Sequence, residues 1–288
     1  MKNYLFKLGK KGKKASIEIV KTKKKDKVLS DYCNLILKNQ LKIISENKKD
    51  LEKAKKQKLK ENLIKRLSID KIKLLQIINS IKMIIKFKDP VNITLNKWKR
   101  PSGLKIKKVT TSIGVIAVIY ESRPNVTSDV ASLCFKSGNP VILKGGSEAY
   151  HSNKFFISLF RKALIKNKVN KDYVQFIDYK SRKVVDFLLT KMANFIDVII
   201  PRGGKNLVKK IQDLSKIPVI GHLEGICHTY IDNNADLSMS KKITLNAKLR
   251  NTAICGATET ILIHQKSLKK FCNPILSNLE ENGCKIVG

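Results

Sequence analysis

The chain has 288 residues, 42% of them hydrophobic, with 59 basic against 23 acidic side chains and a formal net charge of +36. That length holds one large domain or two smaller ones around a real core, and the composition is that of a globular protein. The sequence has no apolar run long enough to span a membrane, no signal-peptide cleavage pattern, and six cysteines without CxxC or zinc spacing, so a disulfide framework, a metal centre and a membrane partner are all disfavoured and a cytoplasmic location is expected.

The charge invites a nucleic-acid reading, which the residue types weaken. Only seven of the 59 basic residues are arginine and aromatics are 6%, whereas nucleic-acid readers favour arginine forks and interleaved aromatic rings. Lysine, isoleucine and asparagine share A/T-rich codons, so the base composition of the coding DNA accounts for the excess. Weak nonspecific polyanion binding is the most that follows, and no specific nucleic-acid partner is expected.

In chain order, residues 1 to about 88 read as helical and basic. Val28 to Glu46 and Ser68 to Lys88 carry apolar residues at helical spacing, and Pro90 stops the second stretch. The lysine-rich segment from Lys48 to Lys60 reads as a solvated helix face. Trp98 to Val109 alternates polar and apolar residues like a half-exposed hairpin. Short apolar runs then alternate with helical segments. Strands are expected at 115–120, 141–143, 174–177, 196–200 and 218–220, with helices at 126–136, 147–166, 184–192 and 205–214 between them. This βαβ series predicts an α/β fold with a Rossmann-like parallel sheet. The N-terminal helices (1–92) belong to this cofactor domain, whose main body runs over 93–250 with a β-hairpin near 94–111. Residues 251–288 lie beyond it, and Cys284–Val287 reads as a strand that opens a further domain.

Parallel sheets bind ligands beyond the carboxyl ends of their strands, and three strand ends carry unusual residues. Tyr120 leads into Glu121-Ser122-Arg123-Pro124-Asn125; Asn125 is read either as a helix cap or as an oxyanion-stabilising amide. Leu143 leads into Lys144-Gly145-Gly146-Ser147, and Ile200 into Pro201-Arg202-Gly203-Gly204. Neither matches the dinucleotide or P-loop fingerprint, but two basic Gly-Gly turns in one series suit a phosphate or dinucleotide ligand. Cys255, between small residues after a basic helix end and before Thr260-Ile261-Leu262-Ile263, is a candidate nucleophile with Lys248 and Arg250 nearby in sequence.

Ile113-Gly114-Val115-Ile116, the YESRPNVT run at 120–127, Gly138-Asn139, Leu143-Lys144-Gly145-Gly146, Pro201-Arg202-Gly203-Gly204, Cys227-His228 and the Cys255 run occur in an order and spacing that resembles the gamma-glutamyl phosphate reductases of the aldehyde dehydrogenase superfamily. The resemblance extends from about Trp98 to the chain end and is weaker in the N-terminal helices. It implies that 251–288 is the start of an aldehyde dehydrogenase-like catalytic domain. It also implies an oxidoreductase of proline biosynthesis that reduces L-glutamate 5-phosphate with NADPH through a cysteine thioester. By the same resemblance, Cys255 is the nucleophile and Asn125 the oxyanion-hole amide. Lys144 and Ser147 line the cofactor's adenosine ribose, and Arg202, Gly203 and Gly204 form the cofactor turn. Ser147 stands where NAD-preferring relatives often carry Glu, which favours NADPH. The implied partners are the substrate, the upstream glutamate 5-kinase and, in the full-length protein, a second copy in a homo-oligomer. Glu224 and His222 read as loop residues, and so does His228. The family's chains continue well over a hundred residues further, so a C-terminally incomplete sequence and little activity from residues 1–288 alone are expected. Alternative readings are a family member with another acyl substrate, or an inactive basic fragment.

Overall fold

The structure, a computed structural model, describes residues 1–288 apart from 19, 122, 182, 222–224 and 253 and the side chain of residue 62. It divides into two compact units, Met1–Gly221 and His222–Gly288. The sequence-based boundary at 250/251 falls later. The units divide earlier because β7 (Cys227–Ile231) pairs in parallel with β8 (Thr258–Ile263), which ties the residues before Cys255 to those after it.

The first unit is built on a four-stranded, all-parallel sheet in the order β5-β4-β3-β6, from β3 (Ile116–Tyr120), β4 (Val141–Gly145), β5 (Val174–Phe176) and β6 (Val198–Arg202). Pro218–Ile220 contributes only a single bridge, Ile199 to Val219, in place of the expected strand. Side chains alternate across a strand, and a parallel sheet buries both faces. β3 does this literally. Ile116, Val118 and Tyr120 enter a core with Val28, Tyr32, Ile77, Phe135 and Phe160, whereas Ala117 and Ile119 enter a second core with Leu5, Val184, Leu188 and Ile211.

The first core is covered by α2 (Thr22–Lys38), α5 (Lys71–Lys86), α6 (Pro124–Lys136) and α7 (Tyr150–Lys166). Where the spacing predicts one helix over 28–46, the chain forms α2 and α3 (Gln40–Lys56), broken at Asn39. The Asn39 Nδ2 donates to Leu35 O at 2.7 Å, an instance of asparagine competing with the helical ladder. A short α4 (Glu61–Leu67) follows. The second core is covered by α1 (Lys2–Ile17), α8 (Lys183–Lys191) and α9 (Lys205–Leu214). Leu5 and Leu8 are buried there, and at roughly 1.5–3 kcal/mol for each fully buried leucine they hold α1 in place despite its many lysines. The exposed hairpin pairs β1 (Thr94–Lys99) with β2 (Lys105–Val109).

Gly114, just before β3, has φ +125°, and a Cβ there would lie 2.2 Å from Asp197 Oδ2. That carboxylate oxygen accepts the Val115 N–H at 2.7 Å, and Lys13 reaches the same carboxylate at 2.6 Å. The glycine therefore admits the acid that joins α1 to the start of the sheet.

The second unit places α10 (Leu237–Leu249) between its two strands and closes with α11 (Leu268–Glu281). Ile231, Phe271, Ile275 and Leu279 form its core, with Ile261 and Ile263 packed against them. Cys284–Val287 forms no strand, because no neighbouring strand hydrogen-bonds to it among the described residues. No described helix is long and apolar enough to cross a membrane.

Candidate active site

The sheet order carries its own pointer to a ligand. From β3 the chain moves outward through β4 to β5, then returns to lie on the other side of β3 as β6. Loops leaving β3 and β6 therefore diverge, which opens a crevice at this switch point. The two strands stay in register to their ends: Tyr120 faces Arg202, and the Glu121 N–H donates to Arg202 O at 3.0 Å.

Beyond β3, Arg123 is the extended residue preceding α6 (φ −141°, ψ 93°) and Pro124 is the first helical residue, where a missing N–H costs nothing. Asn125 is second in the helix, so the capping reading fails. The residue at the cap is Arg123, and no side chain caps it. The half-buried Asn125 side chain instead hydrogen-bonds Asp129, one turn later. Burial pushes the Asp129 carboxyl above the ordinary range, against hydrogen bonds from Ser80 and Asn125 that lower it, and Asp129 Oδ1 has no partner among the described residues. Sequence reasoning missed Asp129, although its position four residues after Asn125 on a helix was the available signal.

Beyond β4, Lys144 is 7% exposed and its Nζ donates to Gly145 O at 2.9 Å. Burial lowers its pKa, and the nearby Glu148 raises it. Ser147 Oγ lies 3.2 Å from Glu148 Oε1, so a carboxylate stands next to the hydroxyl expected to meet the cofactor ribose. A Cβ at Gly145 would fall 2.4 Å from Asn153 Nδ2 and 3.1 Å from the Tyr120 ring.

Beyond β6, Gly203 and Gly204 lead directly into α9. The Gly204 N–H donates to Glu121 Oε2 at 2.9 Å, and a Cβ on Gly203 would meet Glu121 Cδ at 2.8 Å. This helix start presents the positive dipole end that suits a phosphate, and a side-chain carboxylate already takes the Gly204 amide. Amides, a guanidinium, an ammonium and a hydroxyl at these strand ends are donors of the kind that a dinucleotide's diphosphate and ribose take. Asn125, Arg202, Gly203, Gly204, Lys144 and Ser147 all gather along the carboxyl edge of one sheet.

Cys255 belongs to the second unit, in the turn between α10 and β8, and is exposed. The Ile254 N–H bonds Asn251 O and the Ala257 N–H bonds Ile254 O. Among the described residues, no backbone acceptor takes the N–H of Cys255 or Gly256. A Cβ at Gly256 would touch nothing within 4 Å. An exposed thiol in an open turn is an arrangement for attacking a carbonyl. The Cys227 thiol donates to Cys255 O at 3.2 Å, bracing the turn from β7. His228 lies on that strand, not in a loop, with Nδ1 2.8 Å from Ile226 O. The readings of His222 and Glu224 lie outside the described residues.

The aldehyde dehydrogenase family profile matches residues 25–282. The chain is 43% identical over 272 residues to a gamma-glutamyl phosphate reductase of Bartonella quintana (strain Toulouse), covering 94% of this chain and 66% of the relative. It is 46% identical over 244 residues to that of Bartonella tribocorum, covering 85% of this chain and 59% of the relative. With that of Brucella suis biovar 1 it shares 41% over 283 residues, 98% of this chain and 67% of the relative. Its fold matches the crystal structure of gamma-glutamyl phosphate reductase from Thermotoga maritima with a TM-score of 0.91 at 33% identity, covering 97% of this chain and 68% of that one. The chain therefore spans about two thirds of the length of the relatives it matches, or somewhat less.

Proposed function

Because the chain belongs to the aldehyde dehydrogenase family, we propose that it serves the reduction of L-glutamate 5-phosphate to L-glutamate 5-semialdehyde with release of inorganic phosphate, a step of proline biosynthesis. The observation that carries this reading is the exposed Cys255 in its open turn, in a chain 41–46% identical to gamma-glutamyl phosphate reductases.

In this reading the Cys255 thiolate attacks the acyl carbon of the mixed anhydride. A carbon–sulfur bond forms, the carbon–oxygen bond to phosphorus breaks, and phosphate leaves with that electron pair. Asn125 Nδ2 and a backbone N–H of the Cys255 turn stabilise the transient oxyanion, each such donor being worth about 2.7–4 kcal/mol in acyl-transfer enzymes. Asp129 holds the Asn125 amide in orientation. Gly203, Gly204 and Arg202 bind the cofactor's diphosphate, and Lys144 and Ser147 its ribose, with Glu121 yielding the Gly204 N–H. A nicotinamide held there would supply the hydride that reduces the acyl group, and Cys255 then departs as thiolate as the semialdehyde forms. We propose NADPH as that cofactor because Ser147 presents a hydroxyl where a carboxylate would repel a 2′-phosphate; the neighbouring Glu148 carboxylate opposes that preference. A cytoplasmic location, a homo-oligomeric assembly and glutamate 5-kinase as upstream partner accompany the reading.

The test is covalent trapping. The chain is incubated with L-glutamate 5-phosphate in the absence of nicotinamide and its intact mass followed, with Cys255→Ala and Asn125→Ala alongside. A glutamyl adduct on wild-type protein, mapped to Cys255, slowed about a hundredfold in Asn125→Ala and missing from Cys255→Ala, is the expected result. An adduct on another cysteine, or one indifferent to Cys255→Ala, rules the mechanism out. Equal labelling by unrelated acyl phosphates favours a family member with a different substrate.

A further inference from the structure

Two cysteines meet at the turn before β8. Cys227 and Cys255 are 28 residues apart in the chain, yet the Cys227 sulfur stands 3.2 Å from the Cys255 carbonyl oxygen. The parallel pairing of β7 with β8 brings them together, since it sets Cys227 opposite Thr258, just beyond the Cys255 turn. The ladder slips at this place: Cys227 faces Thr258 whereas His228 faces Thr260, so Glu259 is extra on β8. An extra residue of this kind bends its strand and re-aims side chains, and such irregularities gather beside functional residues. Thr229 Oγ1 and Thr258 Oγ1, 2.7 Å apart, fasten the two strands at the slip.

Neither thiol is shut away, Cys255 being exposed and Cys227 half-buried. A thiol is a weak donor, so bracing a carbonyl gives no reason for sulfur at position 227, where a serine hydroxyl would brace it better. The remaining cysteines stand apart. Cys33 and Cys134 are buried in the first unit, Cys272 lies on α11 and Cys284 packs against the core of the second. Among the described residues, no backbone hydrogen bond joins Cys272 or Cys284 to the Cys255 turn.

We propose that Cys227 is a resolving thiol for Cys255, so that oxidation of Cys255 by a hydroperoxide ends in a reversible disulfide between the two. In the first step the Cys255 thiolate attacks one peroxide oxygen. A sulfur–oxygen bond forms, the oxygen–oxygen bond breaks, and the second oxygen leaves as hydroxide or alkoxide and takes a proton from water. Sulfur is oxidised to the sulfenic acid and the peroxide is reduced. In the second step the Cys227 thiolate attacks the Cys255 sulfur. The disulfide bond forms, the sulfur–oxygen bond breaks, and hydroxide departs with the proton given up by Cys227, as water. A dithiol reductant restores both thiols. Without a partner the sulfenic acid proceeds to the sulfinic and sulfonic acids, which such reductants do not reverse. The carbonyl carbon and Cβ of Cys255 share one Cα, so the Cys227 sulfur starts at the base of the side chain it must reach. The remaining approach falls on a turn with room to move, where a Cβ on Gly256 would meet nothing within 4 Å. The pair needs thiol chemistry alone and stands separately from the acyl-phosphate reading.

The test is oxidation of the reduced chain by hydrogen peroxide in small molar excess, for wild type, Cys227→Ser, Cys255→Ala and the control Cys272→Ser. Free thiols are then blocked with iodoacetamide, and intact masses and non-reduced peptide maps are read. Wild type and Cys272→Ser are expected to lose two hydrogens and to yield one linked peptide pair joining Cys227 to Cys255. Dithiothreitol is expected to restore iodoacetamide labelling of Cys255 in both. Cys227→Ser keeps a hydroxyl to brace the Cys255 carbonyl but has no sulfur to resolve the sulfenic acid. It is expected to give no linked pair, to accumulate Cys255 sulfinic and sulfonic acids severalfold faster than wild type, and to recover no labelling with dithiothreitol. Cys255→Ala is expected to form no linked pair. Should a variant fail to fold, the wild-type map decides alone. Direct passage of wild-type Cys255 to the sulfinic acid without a linked pair, or linkage of Cys255 to Cys272 or Cys284, would overturn the proposal. So would a disulfide between two chains, seen as a covalent dimer on a non-reducing gel, or equal over-oxidation in wild type and Cys227→Ser.

Discussion

The Glu121 carboxylate accepts the Gly204 N–H at 2.9 Å, so the end of β3 covers the first turn of α9 with a negative charge. A diphosphate and this carboxylate compete for the same amide. Apparent affinity falls by the fraction of molecules in the competent state, so removal of the competitor raises it. Glu121→Gln is expected to tighten binding of NADPH severalfold, read by nucleotide fluorescence titration. A weaker complex would mean that Glu121 contacts the nucleotide favourably instead of excluding it.

The cysteines separate by environment. Burial pushes the Cys33 thiol up to about 11 and the Cys134 thiol up to about 12, so both are neutral and inert near pH 7. Cys255 is exposed. Iodoacetamide at neutral pH, followed by peptide mass mapping, is expected to label Cys255 well before Cys33 or Cys134. Labelling of Cys33 or Cys134 at a comparable rate would show that the helical layer over the first core opens readily.

Acid sensitivity has a specific source in Asp31. Its carboxylate accepts from Lys166 Nζ at 2.6 Å and Asn167 Nδ2 at 2.7 Å, joining α2 to the end of α7, and these two bonds depress its pKa. A carboxylate whose folded pKa lies below its unfolded value stabilises the fold above the unfolded value, near 3.9, and loses that contribution as pH falls through the folded one. Asp31→Asn is expected to cost about 2 kcal/mol at pH 7 and to flatten the stability profile below about pH 4. Urea midpoints measured from pH 7 to pH 3 check both, and an unchanged acid slope would place the sensitivity elsewhere.

Gly114 is the backbone position with least tolerance. At φ +125° and with Asp197 Oδ2 2.2 Å from a virtual Cβ, Gly114→Ala combines strain with displacement of that carboxylate from the Val115 N–H and from Lys13. The expected cost is about 2–4 kcal/mol, read as a lowered denaturant midpoint. Lys13→Gln should cost under about 1 kcal/mol, because the pair is partly exposed and screened. Equal effects for the two variants would show that the ion pair, not the backbone, carries the energy.

Local punctuation was legible in the residues alone. Pro124, Gly145-Gly146 and Gly203-Gly204 mark the ends of β3, β4 and β6, and α9 spans Lys205–Leu214 as the apolar spacing predicts. The β-run after Cys255 likewise became β8. These features follow from short-range sterics and periodicity, which act within a few residues and do not depend on distant packing. The division at Gly221/His222 was not legible, because it depends on β7 pairing with β8 across an intervening helix. Nor was the Asn39 break, since apolar spacing runs through it and a side-chain hydrogen bond ends the helix.

For the site, sequence by itself determined which side chains stand at each strand end, since a βαβ series must deliver its turns to one edge of a parallel sheet. Only the tertiary structure decided what those side chains meet. Glu121 reaches the Gly204 amide, and Asp129 takes the amide of Asn125, a residue that the sequence offers as a cap. Each of these is a short-range polar or electrostatic interaction. Sub-ångström placement by close-packed cores selects such partners, and no pattern in the linear chain encodes that placement directly.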